Sequence, residues 1–231
     1  MFGDDLGELL GGRIPSDHSR PVLAEHYAGR VRARSVLDLG CGAGDSVDLF
    51  RSVVPDVHWV GADIGSSAEV DSRTRTDAEF VTFDGHRLPF DDAAFELVFC
   101  KQVLEHVQDP REVVAEAARV LEPGGHLAGS TSMLEGFHSR STFNWTPYGL
   151  TLVAEEAGLE VIELRPVIDG FTLVAWQALG LPRFFVRWWT RESPPYRVME
   201  LAARARGLDV RTRNQMKLVL SGQFAFLARK P

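Results

Sequence analysis

Cysteine is scarce: Cys41 and Cys100 are the only two in 231 residues. Two thiols cannot build a disulfide framework or supply the four ligands of a structural zinc site. Both lie in apolar surroundings, the position of reduced core thiols in a cytosolic protein. No apolar run approaches the ~20 residues that a membrane-spanning helix needs. The opening MFGDDLGELLGGR carries acid where a signal peptide carries base, so the expected location is cytoplasmic. Positive charge is also short, with 25 Lys and Arg against 32 Asp and Glu, a formal −7. That balance argues against nucleic acid as a bulk electrostatic partner. Repeats, low-complexity tracts and domain-dividing linkers are absent as well. With 45% hydrophobic residues, the chain has the make-up of one domain with a buried core.

What is present, from Ser35 on, is an alternation of short apolar runs with helical patterns. SVLDLG, VHWVGADI, AEFVTFDG, FELVFCKQV and GGHLAGSTS read as strands, followed by Leu159–Val167 and finally GQFAFLARK. A helix is expected from about Asp45 to Val53. A second starts at the Asp109 cap with Pro110 in its first turn, carries apolar residues from Val113 to Leu121 and stops at Pro123-Gly124-Gly125. Strand followed by helix, repeated, predicts an α/β doubly wound fold with a mostly parallel sheet. The expected layout is an N-terminal helical lid over 1–34 (helix from about Asp17 to Val31), a core over 35–168, a helical insertion over 169–214 and a terminal strand within 215–231.

VLDLGCGAGD, residues 36–45, places three glycines directly behind the first strand. Glycines there let the chain turn sharply and let a ligand approach the backbone at the carboxyl edge of the sheet. A nicotinamide-dinucleotide site uses G-x-G-x-x-G. Here the spacing is G-x-G-x-G, and Asp45 stands where the third glycine belongs. A carboxylate at that point repels a pyrophosphate, and Asp38 suits a cationic ligand better than a diphosphate. A ligand with a sulfonium, an ammonium, a ribose and an adenine fits these charges.

With VLDLGCGAGD, the acid of VGADI, FDGHRLPF, FELVFCKQVLEHVQDP and LEPGGHL in that order from about Ser35 to Leu164, the chain resembles the class I S-adenosylmethionine-dependent methyltransferases, in particular the small-molecule group called type 11. The resemblance implies a seven-stranded Rossmann-like sheet with an antiparallel last strand. It also implies S-adenosyl-L-methionine as cofactor and S-adenosyl-L-homocysteine as product. Carried over residue by residue, Gly40, Gly42 and Gly44 bring backbone to the methionyl portion, and Asp38 supports the loop or the ammonium. Asp63 accepts from both ribose hydroxyls, since two carboxylate oxygens can engage a vicinal diol. Ile64 flanks the adenine, Asp84 accepts from its amino group with Gly85 beside it, and Lys101 ends the fourth strand beside the cofactor. Asp38 and Asp84 also read as turn residues, Asp84-Gly85 being a good turn pair.

Methyl transfer from a sulfonium needs the nucleophile held in line, and a hydroxyl acceptor also benefits from a general base. His106, in LEHV, and His138, in the loop GFHSRSTFNWTPYGL, are the candidates for that base, with Trp145 or Tyr148 as pocket walls. Asp91 and Asp92 have no convincing partners, so no metal is expected. Between Leu181 and Arg197 the insertion spaces Arg183, Arg187 and Arg191 four apart among Phe184, Phe185, Trp188 and Trp189. The adopted reading is a solvated basic face with aromatics packed inward; a substrate lid and a membrane-surface helix are the alternatives. The expected function is transfer of a methyl group to O, N or C of a small acceptor, such as a natural product, sugar or quinone-like ring. The alternative is a cofactor-binding relative that catalyses cyclisation or elimination.

Overall fold

The computed structural model describes residues 4–136 and 140–231. In chain order the elements are α1 (Asp4–Gly11), α2 (His26–Val31), β1 (Ser35–Leu39), α3 (Ser46–Val53), β2 (His58–Asp63), α4 (Ala68–Asp71), β3 (Glu79–Thr82), β4 (Phe95–Lys101), α5 (Pro110–Val120) and β5 (Leu121–Ser132). There follow α6 (Pro147–Glu156), β6 (Glu160–Pro166), α7 (Gly170–Ala178), a 3-10 turn (Arg183–Val186), α8 (Arg187–Thr190), α9 (Pro194–Ala205), α10 (Val210–Val219) and β7 (Gln223–Arg229). The strands form one sheet in the order β3-β2-β1-β4-β5-β7-β6. β7 runs antiparallel to both neighbours and the other pairings are parallel. The strand order therefore reverses between β1 and β4, which opens a crevice at their carboxyl ends.

Alternation along the strands divides the core in two. Leu37, Leu39 and Val98 pack on one side with Val113, Val114 and Ala117 of α5. Val36, Leu97 and Phe99 pack on the other with Tyr27 and Ala28 of α2 and Val47 and Phe50 of α3. Each fully buried Leu or Phe contributes roughly 1.5–3 kcal/mol. Gly129, mid-sheet in β5, has no room for a side chain: a Cβ there would lie 1.8 Å from the Cys100 carbonyl oxygen. The capping expectation at Asp109 holds, and a second helix is capped in the same way. Asp109 accepts from the amides of Arg111 and Glu112 at the start of α5, and Thr146 accepts from the Gly149 amide at the start of α6.

Two expectations are corrected. The helical pattern from Asp17 to Val31 forms a helix only over His26–Val31. Pro21 lacks an N–H and disfavours helix in the residue before it. Residues 15–22 instead run as a strap, held by Asn214 Nδ2 on the carbonyls of Pro15 and His18 (2.8 Å each) and by the Val22 amide on Pro166 O (3.3 Å). The segment expected as a lid is thus, over its described residues 4–34, one short helix, a strap and a second short helix. The helical insertion, expected to end at 214, runs on through α10 (Val210–Val219), and the last strand falls on GQFAFLARK as expected, at Gln223–Arg229. Asp209 caps that helix on the Thr212 amide (2.8 Å), and Asn214, Lys217 and Leu218 bury one face at helical spacing.

Candidate active site

The glycine loop links β1 to α3 at the point where the strand order reverses. Gly40, Gly42 and Gly44 all have positive φ, at 73°, 51° and 84°. Gly40 is doubly constrained, since a Cβ would also meet Val103 Cγ2 at 2.3 Å. The Gly40 amide donates to Ala62 O at 2.7 Å, which pins the loop to β2. Arg73 closes it from outside: its Nε and Nη2 donate to Gly42 O at 3.0 and 2.6 Å, and its guanidinium lies 3.9 Å from the centre of the Phe80 ring.

Asp63, the last residue of β2, accepts from the Gly42 amide through Oδ2 (2.6 Å) and from the Ile64 amide through Oδ1 (2.7 Å). Each oxygen thereby uses one acceptor position and keeps one. Ile64 beside it is 52% exposed, although it is a large apolar residue. This pairing of a fixed carboxylate with an exposed apolar neighbour suits a ribose diol and an adenine face. Gly85 sits at φ 91°, and Asp84 before it accepts through Oδ1 from the amides of His86 and Arg87 (2.9 and 3.1 Å). Those two backbone hydrogen bonds hold its carboxyl below the usual range. The turn role expected for Asp84 is therefore present, and Oδ2 remains beside it.

Asp38 lies within the sheet rather than in the crevice. It pairs with Gly61 of β2 and Phe99 of β4, is buried, and accepts from the Ser46 hydroxyl, which in turn accepts from Trp59 Nε1 at 3.0 Å. Burial, reinforced by the nearby Asp63 carboxylate, pushes its pKa up to about 7 against the opposing Ser46 hydrogen bond. An unfolded aspartate titrates near 3.8. Between those values the folded chain holds a proton that the unfolded chain has lost, so this group's stability contribution falls as pH rises through about 7. Thermal melts of Asp38→Asn should accordingly lose less stability than the parent between pH 5 and pH 8. An identical pH slope in both would show that Asp38 is ionised throughout.

Lys101 ends β4 exposed and donates to Glu25 Oε1 at 2.6 Å, which ties the start of α2 to the crevice edge. His106 is half-buried in the turn after β4, where its amide donates to Val103 O at 2.8 Å. His138 lies outside the described residues. Trp145 is buried, its amide on Ser132 O (2.8 Å), whereas Tyr148 is exposed.

Beside His106, the sequence reading missed a buried polar network at the carboxyl ends of β4 and β5. Glu105 is fully buried and accepts from Thr131 Oγ1 at 3.0 Å; burial first, then the charge of Glu135, raises its pKa to about 7. Glu135, also buried, accepts from Ser132 Oγ, from Gln223 Nε2 and from Gln177 Nε2 (3.4 Å). Oriented so that its nitrogen meets acceptors and its oxygen meets donors, the Gln102 amide donates to Glu105 Oε1 and Ser132 Oγ at 3.0 Å each. The legible signal was the polar run Ser130-Thr131-Ser132 at the end of an otherwise apolar strand, with Gln223 opposite Ser132 on β7. A cavity of about 600 Å³ opens elsewhere, between the strap and β6. It shares no lining residue with the glycine loop, and its Arg30 and Arg165 are paired with Glu163 and Asp17.

Comparison with known proteins bears on this arrangement. A family model described as a methyltransferase domain matches residues 37–129, the segment that holds the glycine loop, Asp63, Asp84 and Glu105-His106. That match takes in 93 of the 231 residues, a methyltransferase-like core within a longer chain. The chain is 33% identical over 151 residues to the 27-O-demethylrifamycin SV methyltransferase of Amycolatopsis mediterranei, covering 55% of this chain and 54% of that one. It is 34% identical over 105 residues to the demethylmenaquinone methyltransferase of Renibacterium salmoninarum, covering 46% and 44%. The chain thus spans about half the length of these curated relatives. Among solved structures, the S-adenosylmethionine-dependent methyltransferase of Mesorhizobium loti shares the fold. The TM-score is 0.56 at 15% identity, over 89% of this chain and 97% of that one. The Asp63 carboxylate, with its spare acceptor positions, fits the ribose of a nucleoside such as S-adenosylmethionine.

Proposed function

We propose that the chain transfers a methyl group from S-adenosylmethionine to O, N or C of a small-molecule acceptor. The observation that carries this reading is Asp63, fixed by the Gly42 and Ile64 amides with one acceptor position left on each oxygen. The cofactor supplies an electrophilic methyl carbon on a sulfonium. Asp63 would hold the ribose diol, Ile64 one adenine face, and Asp84 with Gly85 the adenine amino edge. Gly40, Gly42 and Gly44 bring main chain, not side chains, against the methionyl part. Asp38 sets the loop from within through Ser46, and Lys101 closes the edge with Glu25.

The acceptor side is assigned to His106 and His138, with the network of Glu105, Gln102, Ser132 and Glu135 behind His106. A hydroxyl acceptor would lose its proton to a histidine as the new bond forms. Support for a small acceptor comes from two relatives, a 27-O-demethylrifamycin SV methyltransferase and a demethylmenaquinone methyltransferase.

The test is an incubation of purified protein with S-adenosylmethionine and a panel of phenols, quinols, sugars and amines. S-adenosylhomocysteine release and a mass gain of one methyl group on the acceptor are read together. His106→Ala should leave cofactor affinity within about twofold and slow turnover on a hydroxyl acceptor on the order of a hundredfold. Acceptor conversion without S-adenosylhomocysteine release would replace methyl transfer with a cyclisation or elimination.

A further inference from the structure

The insertion between β6 and β7 differs in charge from the rest of the chain. Residues 169–222 hold nine Lys or Arg and four Asp or Glu, a net +5, which leaves −12 on the remainder of a chain whose total is −7. Four of those cations, Arg183, Arg187, Arg191 and Arg197, are exposed and form no ion pair with a described residue. Among them stand large apolar side chains in water: Phe171 (68% exposed), Leu179, Leu181, Phe184, Val198 (70%) and Leu201. Large apolar side chains exposed in such number within one insertion mark a surface that meets something.

These side chains are not exposed for want of a fold. Trp189 packs edge-on against Trp176 of α7 at 4.9 Å and donates through Nε1 to Gln223 at 3.1 Å. Trp188 lies under Arg187 at 4.4 Å and near Arg197 of α9 at 5.7 Å. So α7, α8 and α9 share one surface, with tryptophans inward and at its seams, and arginines with aliphatic groups outward. This revises the plain solvated face expected from the sequence: the arginines are solvated, but so are the apolar residues between them.

We infer that this face docks on the surface of an anionic lipid bilayer. Lipid phosphates meet the arginines, and the acyl boundary takes Phe171, Leu179, Leu181 and Phe184 out of water, as in interfacial helices. A nucleic acid would satisfy the arginines and leave the apolar groups in water. A second copy joined face to face would set +5 against +5. The charge of the remainder, −12, orients the protein, because it is repelled from the same surface. The inference does not depend on the methyl-transfer reading, since it concerns binding alone.

The test is co-sedimentation of the full chain with large unilamellar vesicles of phosphatidylcholine, with and without 30% phosphatidylglycerol (roughly the anionic fraction at which surface potential matters). The expected result is at least about tenfold stronger partition onto the anionic vesicles, weakening as salt is raised. Replacing Arg183, Arg187, Arg191 and Arg197 together by Gln should abolish the preference for anionic lipid. Phe171→Ser with Phe184→Ser should weaken binding even at low salt. All six positions are exposed, so unchanged melting temperatures should accompany both variants. Equal partition on both vesicle types, or none, overturns the inference. So does a concentration-dependent dimer by light scattering without vesicle binding, which would assign the face to a second copy.

Discussion

Asp63→Ala is expected to weaken S-adenosylmethionine binding by about 2 kcal/mol, close to 30-fold in Kd, as read by titration calorimetry. Two losses combine in that figure. The ribose diol loses its paired acceptor, and the Gly42 amide loses the oxygen that holds it at 2.6 Å, so the loop is freed where the cofactor must lie against it. Asp63→Asn separates the two. Its amide retains one carbonyl oxygen, which can keep the Gly42 bond while leaving only a donor for the second hydroxyl, so an intermediate loss is expected. Neither variant should lower the melting temperature of the free protein by much, because Asp63 is only partly buried at a strand end. Undiminished affinity in Asp63→Ala would move the diol site elsewhere, and Asp84 would then be tested in the same way.

The second large effect is on stability. Lys217 of α10 is fully buried, and its ammonium donates to Ser19 O and to Glu192 Oε1 (2.6 Å) and pairs with Glu200 Oε2 (3.0 Å). One buried cation therefore joins the strap, the turn before α9 and α9 itself. Removing one partner from such a cluster leaves uncompensated buried charge, which costs about 3–5 kcal/mol. Lys217→Met should lower the melting temperature by roughly 10 °C, given about 2–4 °C per kcal/mol for a chain of this size. Glu200 keeps a hydrogen bond from Ser19 and ion pairs with Arg204 and Arg213, so the acid left without its cation is Glu192, and Lys217→Met with Glu192→Gln should recover part of the loss. A shift below about 2 °C in the single variant would mean that water reaches the site and screens it.

The sheet was legible because each strand is a short apolar run and the punctuation was conventional: Asp109-Pro110 starts a helix in the structure as its chemistry requires. The glycine loop was legible from spacing, and all three glycines do adopt positive φ. The strap was not, since apolar spacing around Pro21 imitates a helix while its real hydrogen bonds go to residues nearly 200 positions away. Asp38 could be named from the motif, but its burial behind Ser46 and Trp59 depends on how β1, β2 and α3 meet. Glu105 and Glu135 were hidden for a related reason. Isolated acids in a sequence look solvated, and only the register of β5 on β7 brings Ser132, Gln223 and Gln102 around them.

The Trp59 indole carries one further implication. It reports on Asp38 through a single shared hydroxyl, Ser46 Oγ, at 3.0 Å from the ring nitrogen. A ligand that drew charge onto that aspartate would reorient the hydroxyl and change the electric field across the indole. A change in tryptophan emission on ligand binding is therefore expected, and a Trp59→Phe chain, which keeps the other four tryptophans, supplies the blank.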